Sequence, residues 1–86
     1  MTFQDAYLAA QDYLDRHVRP DELDEIVLCA CDEFRQAWVF GYNARSFLEH
    51  GSISDSMVGN GPVVVPKDGR PAWLASSGSP IDEQLN

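Results

Sequence analysis

The sequence predicts an α+β domain, in which an N-terminal helix packs on one face of a four- to five-stranded antiparallel sheet and a short helical turn ends the chain. Three observations predict this fold. Apolar residues recur at three- and four-residue steps over residues 3–17. Large aromatics alternate with smaller residues over residues 38–42, which places the aromatics on one side of a strand. A Gly-Asn-Gly-Pro turn at residues 59–62 directly precedes three valines.

The N-terminal helix is predicted from its start, its periodicity and its end. Thr2 and Asp5 have the spacing of a capping box, with Asp in place of the usual Glu or Gln. Pro20 prevents further extension, because a proline lacks the amide hydrogen that a helix interior needs. About fifteen residues therefore form an amphipathic helix, whose apolar side must be buried against the sheet.

An acidic linker, Asp21–Glu25, leads from the helix into the predicted strands. The first three predicted strands are Ile26–Asp32, Gln36–Asn43 and Ser46–Glu49. The first two are joined by a hairpin loop at Glu33–Arg35, and a polar loop at His50–Ser56 follows the third.

The second half of the chain is predicted from its turn residues. Val63–Pro66 and Arg70–Ser76 are expected to pair across the turn Lys67–Gly69. Each strand contains a proline, which cannot donate to a ladder, so this pair is expected at a sheet edge or with irregular ends. Ser79 and Pro80 then predict the N-cap and first residue of a short final helix.

The expected core combines residues of the helix and the strands, namely Tyr7, Ala10, Leu14, Val27, Cys29, Trp38, Phe40 and Val64. Cys29 and Cys31 lie in an apolar run and are interpreted as small buried thiols. Two residues apart on a strand, their α-carbons lie roughly 6.5–7 Å apart, at the upper limit for a disulfide. A zinc site would need two more ligands, and His17 and His50 lack ligand spacing. We therefore predict no metal and no cofactor.

Catalytic motifs are not predicted. A thiol with His50 is the best candidate pair, but cysteines in the middle of an apolar strand have a raised pKa. The serines form no Gly-x-Ser-x-Gly elbow. The glycine turn at residues 59–61 could bind an anion, yet it lacks a following helix and a lysine, so a structural turn is favoured. The residues favour a binding protein over an enzyme.

The chain is strongly acidic, with fourteen Asp and Glu against six Lys and Arg and a net charge of −8. This argues against a nucleic-acid binder, which needs basic residues for phosphates, and against an anionic membrane surface. Two interpretations remain, namely solubility through like-charge repulsion and steering toward a basic protein partner. With 86 residues, no long apolar run and no signal-peptide pattern, we expect one cytoplasmic domain, residues 1–86.

The order of these features resembles a known family. Ala10 and the pair Tyr13-Leu14 lie in the first helix, and a hydrophobic strand follows at Ile26–Leu28. The more specific parts are the Trp-Val-Phe-x-Tyr run from Trp38 and the Gly-Asn-Gly-Pro-x-x-Val run from Gly59. Over nearly the whole chain this resembles the immunity protein 35 family, also called YrhB-like. The C-terminal end departs from the family pattern, because Gly78-Ser79 directly precedes Pro80 here.

The resemblance implies a small bacterial protein, often encoded beside polymorphic toxins, that binds and neutralises a cognate toxin without catalysis. An acidic chain fits a toxin domain with a basic surface. Our predicted contact residues are His50, Ser52, Asp55, Asn60, Gly61, Pro62 and Trp73, assisted by Asp21, Glu22 and Asp24. The alternative is a chaperone-like or structural module that self-associates, for instance as a homodimer, through an exposed sheet edge.

Overall fold

The computed structural model describes residues 1–22, 25–50, 61–76 and 79–85. In chain order the elements are α1 (Phe3–His17), a 3₁₀ turn (Arg19–Asp21), β1 (Ile26–Glu33), β2 (Ala37–Ala44), α2 (Arg45–His50), β3 (Val63–Pro66), β4 (Trp73–Leu74) and α3 (Ile81–Gln84). The predicted α+β arrangement is confirmed, with four antiparallel strands between the first and last helices.

The start of α1 is the predicted capping box. The Asp5 backbone amide donates to the Thr2 hydroxyl over 3.2 Å, and the Thr2 amide donates to the Asp5 carboxylate over 3.1 Å. Both bonds satisfy amides that have no partner within a helix. The apolar side of α1 reaches the core through Ala6, Ala10 and Leu14, each of which is fully buried.

The sheet order is β1-β2-β3-β4, so β1 and β4 are its two edges. Phe40 in β2 lies opposite Cys31 in β1 and Val63 in β3. Directly opposed residues share a sheet face, and Phe40 packs with α1, so all three lie on the α1 side. Val39 and Val64 are paired on the other face.

Each face of the sheet has its own buried cluster. The cluster beneath α1 comprises Ala6, Ala10, Leu14, Val18, Ile26, Phe40, Ala44, Val63 and Val65. The cluster on the opposite face comprises Ala37, Val39, Val64 and Ala75, against which Phe34, Trp73, Ile81 and Leu85 pack. The segment around α3 therefore covers part of the second face, while α1 covers the first.

The predicted third strand at Ser46–Glu49 is wrong, because these residues belong to α2. The Arg45 amide donates to the Glu25 carbonyl over 2.8 Å, directly after the last paired residues of β2. The Arg45 guanidinium then lies 3.7 Å from Glu49, one helical turn later. Such a pair favours a helix and has no counterpart in an extended strand.

Two predicted boundaries also shift. The return strand predicted at Arg70–Ser76 is only Trp73–Leu74, since Pro71 cannot donate to β3. The N-cap of α3 is Pro80 instead of Ser79, and no side chain among the described residues caps this helix.

The predicted core residues occupy different depths. Ala10, Leu14, Phe40 and Val64 are buried, whereas Val27 and Trp38 are half-buried and Tyr7 is 38% exposed. Cys29 and Cys31 are free and exposed, so the interpretation as buried thiols is wrong. The reason is the strand order, because among the described residues β1 has a single neighbouring strand, β2, and lies at an edge of the sheet.

Candidate partner-binding surface

The second half of β1 is the most open part of the described sheet. Cys29, Ala30, Cys31, Asp32 and Glu33 are all exposed. Within the ranges that the structure describes, β2 is the only strand paired with β1. The outer backbone groups of this segment therefore face away from the sheet, where they can bind water or another chain. We call residues 29–33 the open edge.

The first half of β1 is covered by Arg19. Its Nε and Nη2 donate to the Ile26 carbonyl over 3.1 and 2.8 Å. Its Nη2 also donates to the Gln11 side chain over 2.6 Å, and its Nη1 donates to Asp15 over 2.7 Å. One guanidinium thus joins the end of α1 to the start of β1 and occupies an outward carbonyl of that strand.

A β-bulge separates the covered half of β1 from the open edge. Leu28 lies opposite Tyr42 and Ala30 lies opposite Gly41, so Cys29 is the extra residue. A bulge bends its strand and increases the local twist. The open edge therefore runs in a different direction from the preceding residues, Ile26–Leu28.

An apolar groove of about 180 Å³ runs between the open edge and α1. It is lined by Phe3, Tyr7, Leu28, Ala30, Cys31 and Phe40. The Phe3 ring lies 6.0 Å from the Phe40 ring and 5.5 Å from the Trp38 ring, both measured between centroids. Phe3 is nevertheless 49% exposed. Aromatic rings therefore form the base of the groove, and part of its apolar surface is exposed to solvent.

Acidic side chains border the open edge. Asp32 is exposed, and Glu33 pairs with Lys67 over 2.6 Å. The Lys67 ammonium also lies 5.2 Å from the Trp38 ring centroid, within the range of a cation–π contact. Partial burial, followed by the nearby carboxylates of Asp32 and Glu33, raises the pKa of the Cys31 thiol. A thiol in this setting is a weak nucleophile at neutral pH.

A larger cleft of about 580 Å³ lies at the start of β1. Its wall includes Arg19, Arg45 and Glu25. Arg45 pairs with Glu25, and Arg19 is held by the bonds described above. Because these charged side chains already bind other groups of the chain, we interpret the cleft as part of the contact between α1 and β1 and not as a ligand site.

The predicted contact residues that the structure describes do not all lie on one surface. Asp21 and Glu22 are exposed beside the start of β1, whereas Trp73 lies on β4, the opposite sheet edge. Trp73 is half-buried in the second cluster. Gly61 is buried and Pro62 is half-buried, which argues against Gly61 as an accessible contact.

The other predicted contacts fall into two groups. Residues of the first group lie outside the described part of the chain, and for the second only the backbone is described. Asp24, Ser52, Asp55 and Asn60 belong to the first group. His50 ends α2, and its side chain is not described. Phe3, Tyr7, Leu28 and Asp32 were absent from our predicted contacts. The sequence signal that could have indicated an edge strand is the Asp32-Glu33 pair at the end of an apolar run, because charges are common on edge strands.

The described ranges contain neither a metal-ligand cluster nor a membrane-spanning helix. No group of three or more His, Cys, Asp or Glu residues there is arranged to hold a metal ion. No helix there has the length and hydropathy needed to cross a membrane.

The described residues form an α+β fold in which the edge at β1 is exposed, acidic and next to an apolar groove. The chain belongs to the immunity protein 35 family, whose sequence model matches residues 4–85. It is also 32% identical over 85 residues to the uncharacterized protein YrhB of Escherichia coli (strain K12), covering 99% of this chain and 85% of that protein. No solved structure is significantly similar. The family name indicates an immunity protein.

Proposed function

We propose that this protein is a non-enzymatic bacterial immunity protein of the cytoplasm, which binds a cognate polymorphic toxin and neutralises it by covering the active or substrate site. Family membership over residues 4–85 is the observation that carries the proposal. Occlusion requires a rigid scaffold and a complementary surface, and the two packed faces of the sheet supply the scaffold.

Charge supports a toxin domain with a basic surface. The chain carries −8, and Asp21, Glu22 and Asp32 are exposed along the β1 side of the domain. Opposite charges accelerate encounter, and rapid capture matters when the free partner is lethal. The competing interpretation, solubility alone, predicts an association rate that does not depend on salt. Steering predicts a rate that falls as salt rises, because exposed charges are screened.

The predicted loop contacts remain part of this proposal. Ser52, Asp55 and Asn60 are candidates for direct contact, with Asp21 and Glu22 as an acidic border. Gly61 takes a different role here, because a buried glycine acts by admitting the neighbouring backbone of Ala75 and not by touching the toxin.

A self-associating or chaperone-like module is the second candidate. The backbone of the open edge favours association with another chain, since unpaired strand edges pair readily, whereas its exposed Asp32 opposes pairing with a second copy. Sedimentation of the free protein and suppression of aggregation in unrelated clients test the two forms of this candidate.

Co-expression with the large open reading frame next to this gene tests the proposal. We expect the neighbouring product to stop growth alone and this protein to restore it. The control is Leu14→Asp, which puts a charge into a fully buried position and should abolish rescue by unfolding the domain. A harmless neighbour, or growth arrest that this protein does not relieve, would contradict the proposal.

A further inference from the structure

We propose that the open edge, residues 29–33, binds an extended segment of the toxin domain, which adds a strand to β1 and carries basic and apolar residues in alternation. This inference rests on the proposed function and names the contact surface and the kind of segment that fits it. It follows from the open backbone, the adjoining groove and the charge of the same five residues.

The backbone of the open edge is ready for pairing. Arg19 occupies the Ile26 carbonyl, but the edge beyond the bulge at Cys29 is exposed at every residue. An added strand would satisfy the outer amides and carbonyls of this segment through main-chain hydrogen bonds. Five residues span about 16 Å, which is enough for a short strand.

The two faces of the edge would select different side chains. Cys31 lies on the α1 side, next to the apolar groove of Phe3, Tyr7 and Leu28. Asp32 is paired with Val39 and so lies on the opposite side. Side chains of an added strand alternate between the same two sides. Those beside the groove would therefore be apolar, and those beside Asp32 would be Lys or Arg.

Charge decides between a toxin segment and a second copy of this chain. A second copy would bring another exposed Asp32 to the same edge, and each copy carries a net charge of −8 over its whole chain. Like charges on neighbouring strands are destabilising, and acidic residues with a bulge are a common protection against self-pairing. A basic segment reverses the sign of this interaction, so the same residues that disfavour a dimer favour the proposed occupant.

The chain supplies its own probe, because its two cysteines both lie on the open edge. The experiment uses the complex purified from the co-expression strain and compares it with the free protein. Asp12→Cys adds a third thiol on the exposed side of α1, near the β4 edge, as an internal control. Iodoacetamide labelling of each thiol is followed by mass spectrometry of peptides.

We expect labelling of Cys29 and Cys31 to slow at least tenfold in the complex, while labelling of the control thiol is unchanged. Hydrogen exchange should slow at the outward-facing amides within residues 29–33, because an added strand bonds these amides directly. Asp32→Lys should weaken binding about tenfold or more, whereas the same charge change at the remote position, Asp12→Lys, should alter it less than about twofold.

The outcomes separate this inference from the proposed function. A neutralised toxin whose complex leaves Cys29 and Cys31 as reactive as in the free protein overturns the edge site and leaves the immunity role intact. A free protein that is dimeric, with both thiols protected, assigns the edge to a second copy and also overturns it. If co-expression yields no neutralised toxin, both the immunity role and the edge site are contradicted.

Discussion

Gly61 lies directly against the backbone of Ala75. A Cβ on Gly61 would lie 1.5 Å from the Ala75 carbonyl oxygen, a separation that no side chain could have. The Ala75 amide donates to the Pro62 carbonyl over 2.9 Å, so the segment before β3 is bonded to the segment after β4. This contact explains why a glycine is needed beside Pro62, since only hydrogen fits between the two backbones.

Gly61→Ala should destabilise the domain by about 3 kcal/mol, because backbone atoms must move to admit the methyl group. Gly69→Ala is the control. Its Cβ would meet no atom of the described residues within 4 Å, so its cost comes from the positive φ of 89° and should be about 1 kcal/mol. Urea unfolding of both variants measures the difference. A smaller loss at Gly61 than at Gly69 would show that the two segments separate easily.

Arg19→Lys should lower the free energy of unfolding by about 2 kcal/mol. A lysine has one ammonium and cannot reproduce the planar set of bonds to Ile26, Gln11 and Asp15. Arg16→Lys is the matched control, because Arg16 also pairs with an aspartate four residues earlier but is 71% exposed. That exchange should cost less than about 0.5 kcal/mol. Equal losses in the two variants would argue against Arg19 as the joint between α1 and β1.

Asp5 should contribute to stability in a pH-dependent way. Hydrogen bonds from Thr2, above all from its backbone amide, lower the pKa of the Asp5 carboxyl in the folded protein. A lowered folded pKa gives stability that is complete above the unfolded value of about 4 and is lost as pH falls through the folded value. Asp5→Asn should therefore flatten the decline in urea midpoint on acidification. Parallel declines in wild type and variant would contradict the capping role.

The elements that could be predicted are those with local signals. The capping box at Thr2 and the aromatic alternation around Phe40 depend on neighbours within a few residues, and both features are present in the structure. The helix α2 could not be predicted in this way. Its first residue, Arg45, is bonded to Glu25, twenty residues earlier, and nothing near Arg45 reports that contact.

The candidate surface was harder to predict than the fold, because it depends on strand order. Periodicity places Cys29 in an apolar strand but cannot say that this strand lies at an edge or that Cys29 is the extra residue of a bulge. The contact between Arg19 and Ile26 could not be predicted for a similar reason. It depends on the direction in which the chain returns from α1 to β1. The exposure of the residues in β1 therefore follows from the assembled sheet and not from the local sequence.

Cys31 should respond to the charge of Asp32. Partial desolvation of this exposed residue is the main cause of its raised pKa, and the carboxylates of Asp32 and Glu33 add to it. Asp32→Asn removes one of these charges, so the pKa should fall and the thiolate fraction at neutral pH should rise. Labelling of Cys31 by iodoacetamide should then accelerate about two- to fivefold.

Asp32→Glu is the control for this prediction, because it keeps the charge and should leave the labelling rate of Cys31 close to that of wild type. Added salt should reduce the difference between Asp32→Asn and wild type, since the edge is exposed and its charges are screened. If Asp32→Asn and Asp32→Glu label at the same rate, the carboxylate does not act on the thiol. In that case desolvation and the Glu33 carboxylate account for the raised pKa of Cys31.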